Sequence, residues 1–156
     1  MSDVKELQLL DLEQMDEREA HEFLTELLSN LSPEEEYSVR HPADYVLEMP
    51  QSGERILGRE RMRRFQESYF TCSPSDPMRR IRVSRVLVRG GLWVVEGVAD
   101  YGDGREALNV VLILELRDGK MWRDRWYFAG PFEAPQWRAQ WVEREEPRSP
   151  TPGPTE

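Results

Sequence analysis

A chain of 156 residues with net charge −9 and 38% hydrophobic residues is long enough for one domain that buries its own core. The acidic balance argues against nucleic acid and anionic membrane as general partners, since both require a positive face. One cysteine, Cys72, and two histidines, His21 and His41, exclude an internal disulfide, a multi-cysteine metal site and a histidine-rich metal centre.

Lysine occurs only as Lys5 and Lys120, neither where a desolvated amine for Schiff-base chemistry is expected, and no cofactor is implied. Arginines cluster at Arg55, Arg59, Arg61, Arg63 and Arg64 and again over 79–89, where the abundant acids are expected to pair with them. No run approaches the ~18 apolar residues of a membrane span. The acidic N-terminus lacks the basic and apolar regions of a signal peptide, so a cytoplasmic location is expected.

In chain order, residues 1–15 read as a leader, with Leu7, Leu9, Leu10 and Leu12 among acids, that docks loosely or frays. Asp16 with Glu19 starts a helix that carries Phe23, Leu24, Leu27, Leu28 and Leu31 at helical spacing. Ser32-Pro33-Glu34-Glu35 is a capping box with proline at the first helical position and starts a second, short helix. Tyr45–Met49 reads as a strand stopped by Pro50, and the turn at 51–54 leads to a short strand ending near Gly58. Arg59–Tyr69 reads as a helix burying Met62, Phe65 and Tyr69, followed by a loop over 71–78.

The period then changes to two. Strands are expected over 79–89, 92–101, 105–117 and 120–129, joined at Gly90-Gly91, Asp103-Gly104 and Asp118-Gly119, pairs that tolerate positive φ. Pro135–Arg144 reads as helical, with Trp137 and Trp141 four apart, and the proline-rich 147–156 as a disordered tail. The working domain is therefore 16–146, an α+β fold whose curved antiparallel sheet wraps on N-terminal helices and encloses one pocket.

Two-residue turns taken at face value sort the strands into two faces. One holds Arg85, Glu96, Asn109, Trp122, Asp124, Trp126 and Phe128 with Val94, Val98 and Val111. Aromatic and apolar walls with a few placed polar groups are what a pocket for a small apolar or aromatic ligand requires. The other face, with Leu108, Val110, Leu112, Leu114 and Leu116, is a stripe too apolar to stay in water, and a homodimer through it is expected, the alternative being that the two faces are exchanged and this one lines the pocket.

The segments MPQSGERILGRERMRRF and RDGKMWRDRWYF, followed by PQWRAQWVE, resemble the SnoaL-like branch of the nuclear transport factor two-like superfamily over roughly residues 16–146. The resemblance implies a cone-shaped α+β fold that hosts isomerases, cyclases, hydrolases and non-catalytic binders. Residues of the ketosteroid isomerases do not carry over: their base is an aspartate before a proline, where this chain has Met49-Pro50. Their first-helix tyrosine has no match near Leu24 or Thr25, and their protonated aspartate falls near Leu112 or Ile113. Trp122-Arg123-Asp124 is similar to a run in limonene epoxide hydrolases but sits two residues early. Their Arg-x-Asp pair falls on Gly97 and Ala99, and their tyrosine and asparagine on Val46 and Glu48. SnoaL-type polyketide cyclases use a last-strand aspartate as base, a place that Asp124 holds.

Asp124 is thus the candidate general base, its carboxyl raised by an apolar setting, against the alternative of an ion pair with Arg123, Arg125 or Arg85. Arg85, Glu96 and Asn109 are candidate polar ligand contacts, with a cross-strand Arg85–Glu96 pair as the alternative. Trp122, Trp126 and Phe128 are candidate stacking groups, with core packing as the alternative. Glu48 is open to either face, and Tyr45 and His41 read as edge residues. Two functions stand: a cofactor-independent acid–base enzyme of isomerase, cyclase or hydrolase type, and a non-catalytic ligand-binding or dimeric interaction domain.

Overall fold

The computed structural model describes residues 3–72, 80–100, 104 and 106–145. The loop expected over 71–78 from Ser73 onward, the turn at Asp103 and the tail at 147–156 lie outside them, as does the Tyr69 side chain. The helices are α1 (Val4–Leu9), α2 (Glu17–Ser29), α3 (Pro33–Val39) and α4 (Arg59–Cys72). Both expected helix starts form as capping boxes: the Asp16 side chain accepts from Glu19 N–H at 2.8 Å, and Ser32 from Glu35 N–H at 3.2 Å.

The strands are β1 (Val46–Met49), β2 (Glu54–Leu57), β3 (Arg80–Arg89), β4 (Leu92–Asp100), β5 (Leu108–Arg117) and β6 (Lys120–Ala129). They form one six-stranded sheet in the order β2-β1-β6-β5-β4-β3, curved and unclosed. β1 pairs with β6 in parallel; the other neighbours are antiparallel. The 136–141 segment is a 3₁₀ helix with Trp137 and Trp141 largely exposed.

Two single-residue bulges decide which side chains share a face. In β3 the pairing steps from Val83↔Gly97 to Arg85↔Glu96, so Ser84 is extra and Val83 parts from Arg85. In β6 it steps from Leu116↔Met121 to Glu115↔Arg123, so Trp122 is extra. One inserted residue inverts everything beyond it. Asp124 therefore stands opposite Leu114, Trp126 opposite Leu112 and Phe128 opposite Val110.

The two faces expected from ideal turns are corrected accordingly. Asp124, Trp126 and Phe128 share the leucine-rich face, while Arg85, Glu96, Asn109 and Trp122 point away from it. The leucine-rich face is also not a subunit interface: Leu112 and Leu114 are each 1% exposed, in one core with Phe23, Leu24 and Leu27 of α2.

The N-terminal leader is held more firmly than its sequence suggests. Leu7 and Leu12 are buried in the core. Lys120 Nζ donates to the carbonyls of Leu7, Gln8 and Leu10 at 3.2, 2.8 and 3.3 Å, which caps the end of α1. Leu12 N–H donates to Gly119 O, and Gly119 N–H to Glu13 Oε2, both at 3.0 Å. Gly119 has φ +73°, and a Cβ there would lie 2.8 Å from Asp11 Oδ1, so this turn admits no side chain. Replacing Leu12 by alanine should cost about 2–5 kcal/mol, the range for deleting a buried leucine side chain. Urea unfolding measures it, and an unchanged midpoint would show that the leader adds nothing to stability.

Candidate functional site

The parallel pairing of β1 with β6 sets Leu47 beside Asp124 and leaves Tyr45, the residue before β1, on the same side. Tyr45 Oη donates to Asp124 Oδ2 at 2.8 Å, and both residues are buried, Asp124 with 0% exposure. Asp124 Oδ1 has no hydrogen-bond partner among the described residues.

Next to this pair lies Arg40, which follows α3. Its Nη2 donates to Glu36 Oε2 at 2.7 Å and its Nη1 to Gln66 Oε1 of α4 at 2.9 Å. Gln66 Nε2 also donates to Glu36 Oε2, which closes a ring of three side chains. The guanidinium carbon sits 5.2 Å from the centre of the Tyr45 ring, within cation–π range. Arg40 Nε is buried without a partner among the described residues.

These groups form the polar end of a cavity of about 140 Å³ between α2, α3, α4 and the sheet. Its other walls include Leu24, Leu27, Leu28, Leu31, Phe65 and Trp126. Burial penalises the ionised carboxylates and sets the electrostatics. It pushes Asp124 up to about 6, although the Tyr45 hydroxyl and Arg40 pull it down and Glu36 adds a smaller upward push. Glu36 is raised mainly by desolvation, against Arg40 and Gln66. Desolvation works against the Arg40 cation, but Tyr45, Glu36 and Asp124 outweigh it and hold the guanidinium up. Tyr45 is raised well above its ordinary value by burial and then by Asp124.

Of the residues singled out from sequence, the structure places Asp124 and Trp126 in the cavity wall. Phe128 packs beside them on the core, edge-on to Trp126 at 6.1 Å between ring centres. Arg85 and Glu96 face each other across the β3–β4 hairpin on the exposed side, and Asn109 is also exposed. Trp122, the bulge residue, lies under the Arg117 guanidinium, 3.9 Å from its ring centre. The arginines expected beside Asp124 are elsewhere: Arg123 binds both oxygens of Glu48 at 3.0 and 3.2 Å, on the outer side.

Tyr45 and His41 are buried, not at an edge. His41 Nδ1 accepts from Ala43 and Asp44 N–H at 3.2 and 3.1 Å, which leaves Nε2 to donate to Asp118 at 2.9 Å and fixes the loop before Tyr45. Sequence reasoning missed Glu36, Arg40, Tyr45 and Gln66. The i, i+4 spacing of Glu36 and Arg40 was the one signal available.

Residues 41–124 match the SnoaL-like domain family. The chain belongs to that family. The matched segment runs from the His41 loop to Asp124, so it holds Tyr45 and Gln66 but ends short of Glu36 and Arg40. Among solved structures, the chain is similar to an NTF2-like protein of unknown function from Burkholderia xenovorans LB400. They share 35% identity over 73% of this chain and 83% of that one, with a TM-score of 0.56. It is also similar to a protein from Kribbella flavida DSM 17836 named for the ketosteroid isomerases, at 30% identity over 78% and 83%, with a TM-score of 0.64. An M. tuberculosis epoxide hydrolase of the LEH-like type shares the fold at 21% identity over 70% and 79%, with a TM-score of 0.55. No curated protein matches the chain.

The shift of Asp124 has a definite sign in stability. A carboxyl raised from 3.8 to about 6 on folding stabilises the fold when protonated. That contribution is complete below about pH 4 and is lost as pH rises through 6, so ionised Asp124 costs on the order of 3 kcal/mol at neutral pH. Asp124→Asn should therefore melt above the parent protein at about pH 8, the gap closing toward pH 4. Thermal melts across that range test it, and a variant less stable at neutral pH would mean that Arg40 and Tyr45 outweigh burial.

Proposed function

We propose that the chain is a small-molecule pocket protein that performs cofactor-independent acid–base chemistry, with Asp124 as the proton acceptor. The observation that carries this reading is a fully buried carboxylate, raised to about 6 by its desolvation, at the polar end of a largely apolar cavity. A base is most effective with a pKa near the working pH, where it is ionised yet basic enough to hold a proton in the transition state. Tyr45 fixes one carboxylate oxygen and leaves the other for the proton. Arg40, anchored by Glu36 and Gln66, supplies the positive charge that limits the rise of Asp124. Family membership and the likeness to a protein named for the ketosteroid isomerases support acid–base chemistry in the isomerase, cyclase or hydrolase range, for which proton exchange next to a carbonyl is the simplest probe.

One observation favours a second reading. Asp124 has 0% exposure, as expected of a carboxyl that only shapes a binding pocket. Deuterium uptake from heavy water into small ketones, neutral and amine-bearing, separates the two. Under the enzymatic reading uptake rises with pH through about 6, as Asp124 ionises, and Asp124→Asn lowers it by about 10²–10⁴-fold, the usual contribution of a positioned base. Uptake that is equal in parent and variant would leave only the binding role.

A further inference from the structure

The polar end of the cavity holds two carboxyls, the fully buried Asp124 and the partly buried Glu36, and one buried guanidinium, Arg40. The two terminal nitrogens of the guanidinium hold Glu36 and Gln66, and its Nε makes no hydrogen bond among the described residues. With both carboxyls ionised, one negative charge lacks a counter-ion. Every other element packed around Asp124 is neutral toward it. The α2 residues in the wall are Leu24, Leu27, Leu28 and Ser29, the β5 residues are Leu112 and Leu114, and α4 contributes Met62, Phe65 and Gln66. On β1 the charged residue Glu48 turns outward to Arg123, and Arg125 shares the outer register of Ile113. Tyr45 gives one hydrogen bond, and Asp124 Oδ1 is left without a partner among the described residues.

An uncompensated buried carboxylate is costly, and any cation brought beside it removes part of that cost. A proton does so at low pH. From these groups we infer that the cavity recognises a small organic ammonium ion, its charged head at Asp124 and its apolar body against the leucines, Phe65 and Trp126. The volume of about 140 Å³ sets the size, since cavities of about 150 Å³ hold a single benzene-sized ring. An anion of that shape would meet Asp124 and Glu36 with no free cation to offset them.

The inference rests on the cavity being the ligand site of the proposed function, but not on turnover. Proton and ammonium compete for the same carboxylate, which makes binding depend on pH in a defined direction. Isothermal titration calorimetry of the full chain with cyclohexylammonium, cyclohexanol and cyclohexanecarboxylate tests it. At about pH 8 the ammonium should bind at least tenfold more tightly than either of the others, and its affinity should fall toward tenfold per unit below about pH 6. Asp124→Asn should lose both the preference and the pH slope, with its melting curve showing that it remains folded. Equal or tighter binding of cyclohexanol, or ammonium binding that is flat from about pH 5 to 8, overturns the inference. Those outcomes leave Asp124-dependent deuterium uptake standing. Conversely, ammonium binding with the expected pH slope in a protein that catalyses no uptake sinks the enzymatic reading alone.

Discussion

One extra residue in β6 organises the site. Without the bulge at Trp122, the Asp118-Gly119 turn would carry its register straight up the hairpin and set Asp124 opposite Ile113, on the outer face. The bulge moves Asp124 opposite Leu114 and brings Trp126 with it to the core side. The same step leaves Arg123 and Arg125 outside, so the cations nearest in sequence are kept from the carboxylate. Its partners then come from far along the chain: Tyr45 through the parallel β1–β6 pairing, and Arg40 from the end of α3.

The consequence is a buried polar network within an apolar core. Such networks rarely stabilise a protein over a well-packed hydrophobic alternative, because desolvation offsets the attraction between the charges. Here Glu36, Arg40 and Gln66 are tied in a ring by three mutual hydrogen bonds. The Tyr45–Asp124 pair is left with one acceptor, Asp124 Oδ1, that no donor among the described residues meets. Strain in the charge balance is thus concentrated at a single carboxylate next to a cavity, as expected where a group must stay reactive or receive a ligand.

Much of the architecture is legible in the residues themselves. Asp16/Glu19 and Ser32/Glu35 announce their helices because capping depends on local spacing, and strand alternation with paired turn residues announces the meander. The Ala99↔Leu108 and Glu96↔Val111 register follows from counting across the β4–β5 turn. What counting misses is a bulge, since neither Ser84 nor Trp122 differs in type from an ordinary strand residue. The shift at Trp122 alone was enough to separate Asp124, Trp126 and Phe128 from the face of Arg85, Glu96 and Asn109, and the shift at Ser84 parts Val83 from Arg85. The parallel β1–β6 pairing is equally silent in the sequence: it joins residues about 75 positions apart, and nothing local to Tyr45 signals a buried hydroxyl donor.

The energetic weight of Asp124 bears on why it is there. A cost on the order of 3 kcal/mol is a large share of the roughly 5–15 kcal/mol by which domains exceed unfolding. A neutral residue of the same shape would keep the Tyr45 hydrogen bond and avoid the cost. The surroundings do not act to lower it further: the leucines of α2 and β5 deepen the desolvation, and Arg40 is turned toward Glu36 and Gln66. A carboxylate kept charged against its environment, beside a cavity the size of one ring, is better accounted for by what it does to a bound molecule than by what it does for the fold.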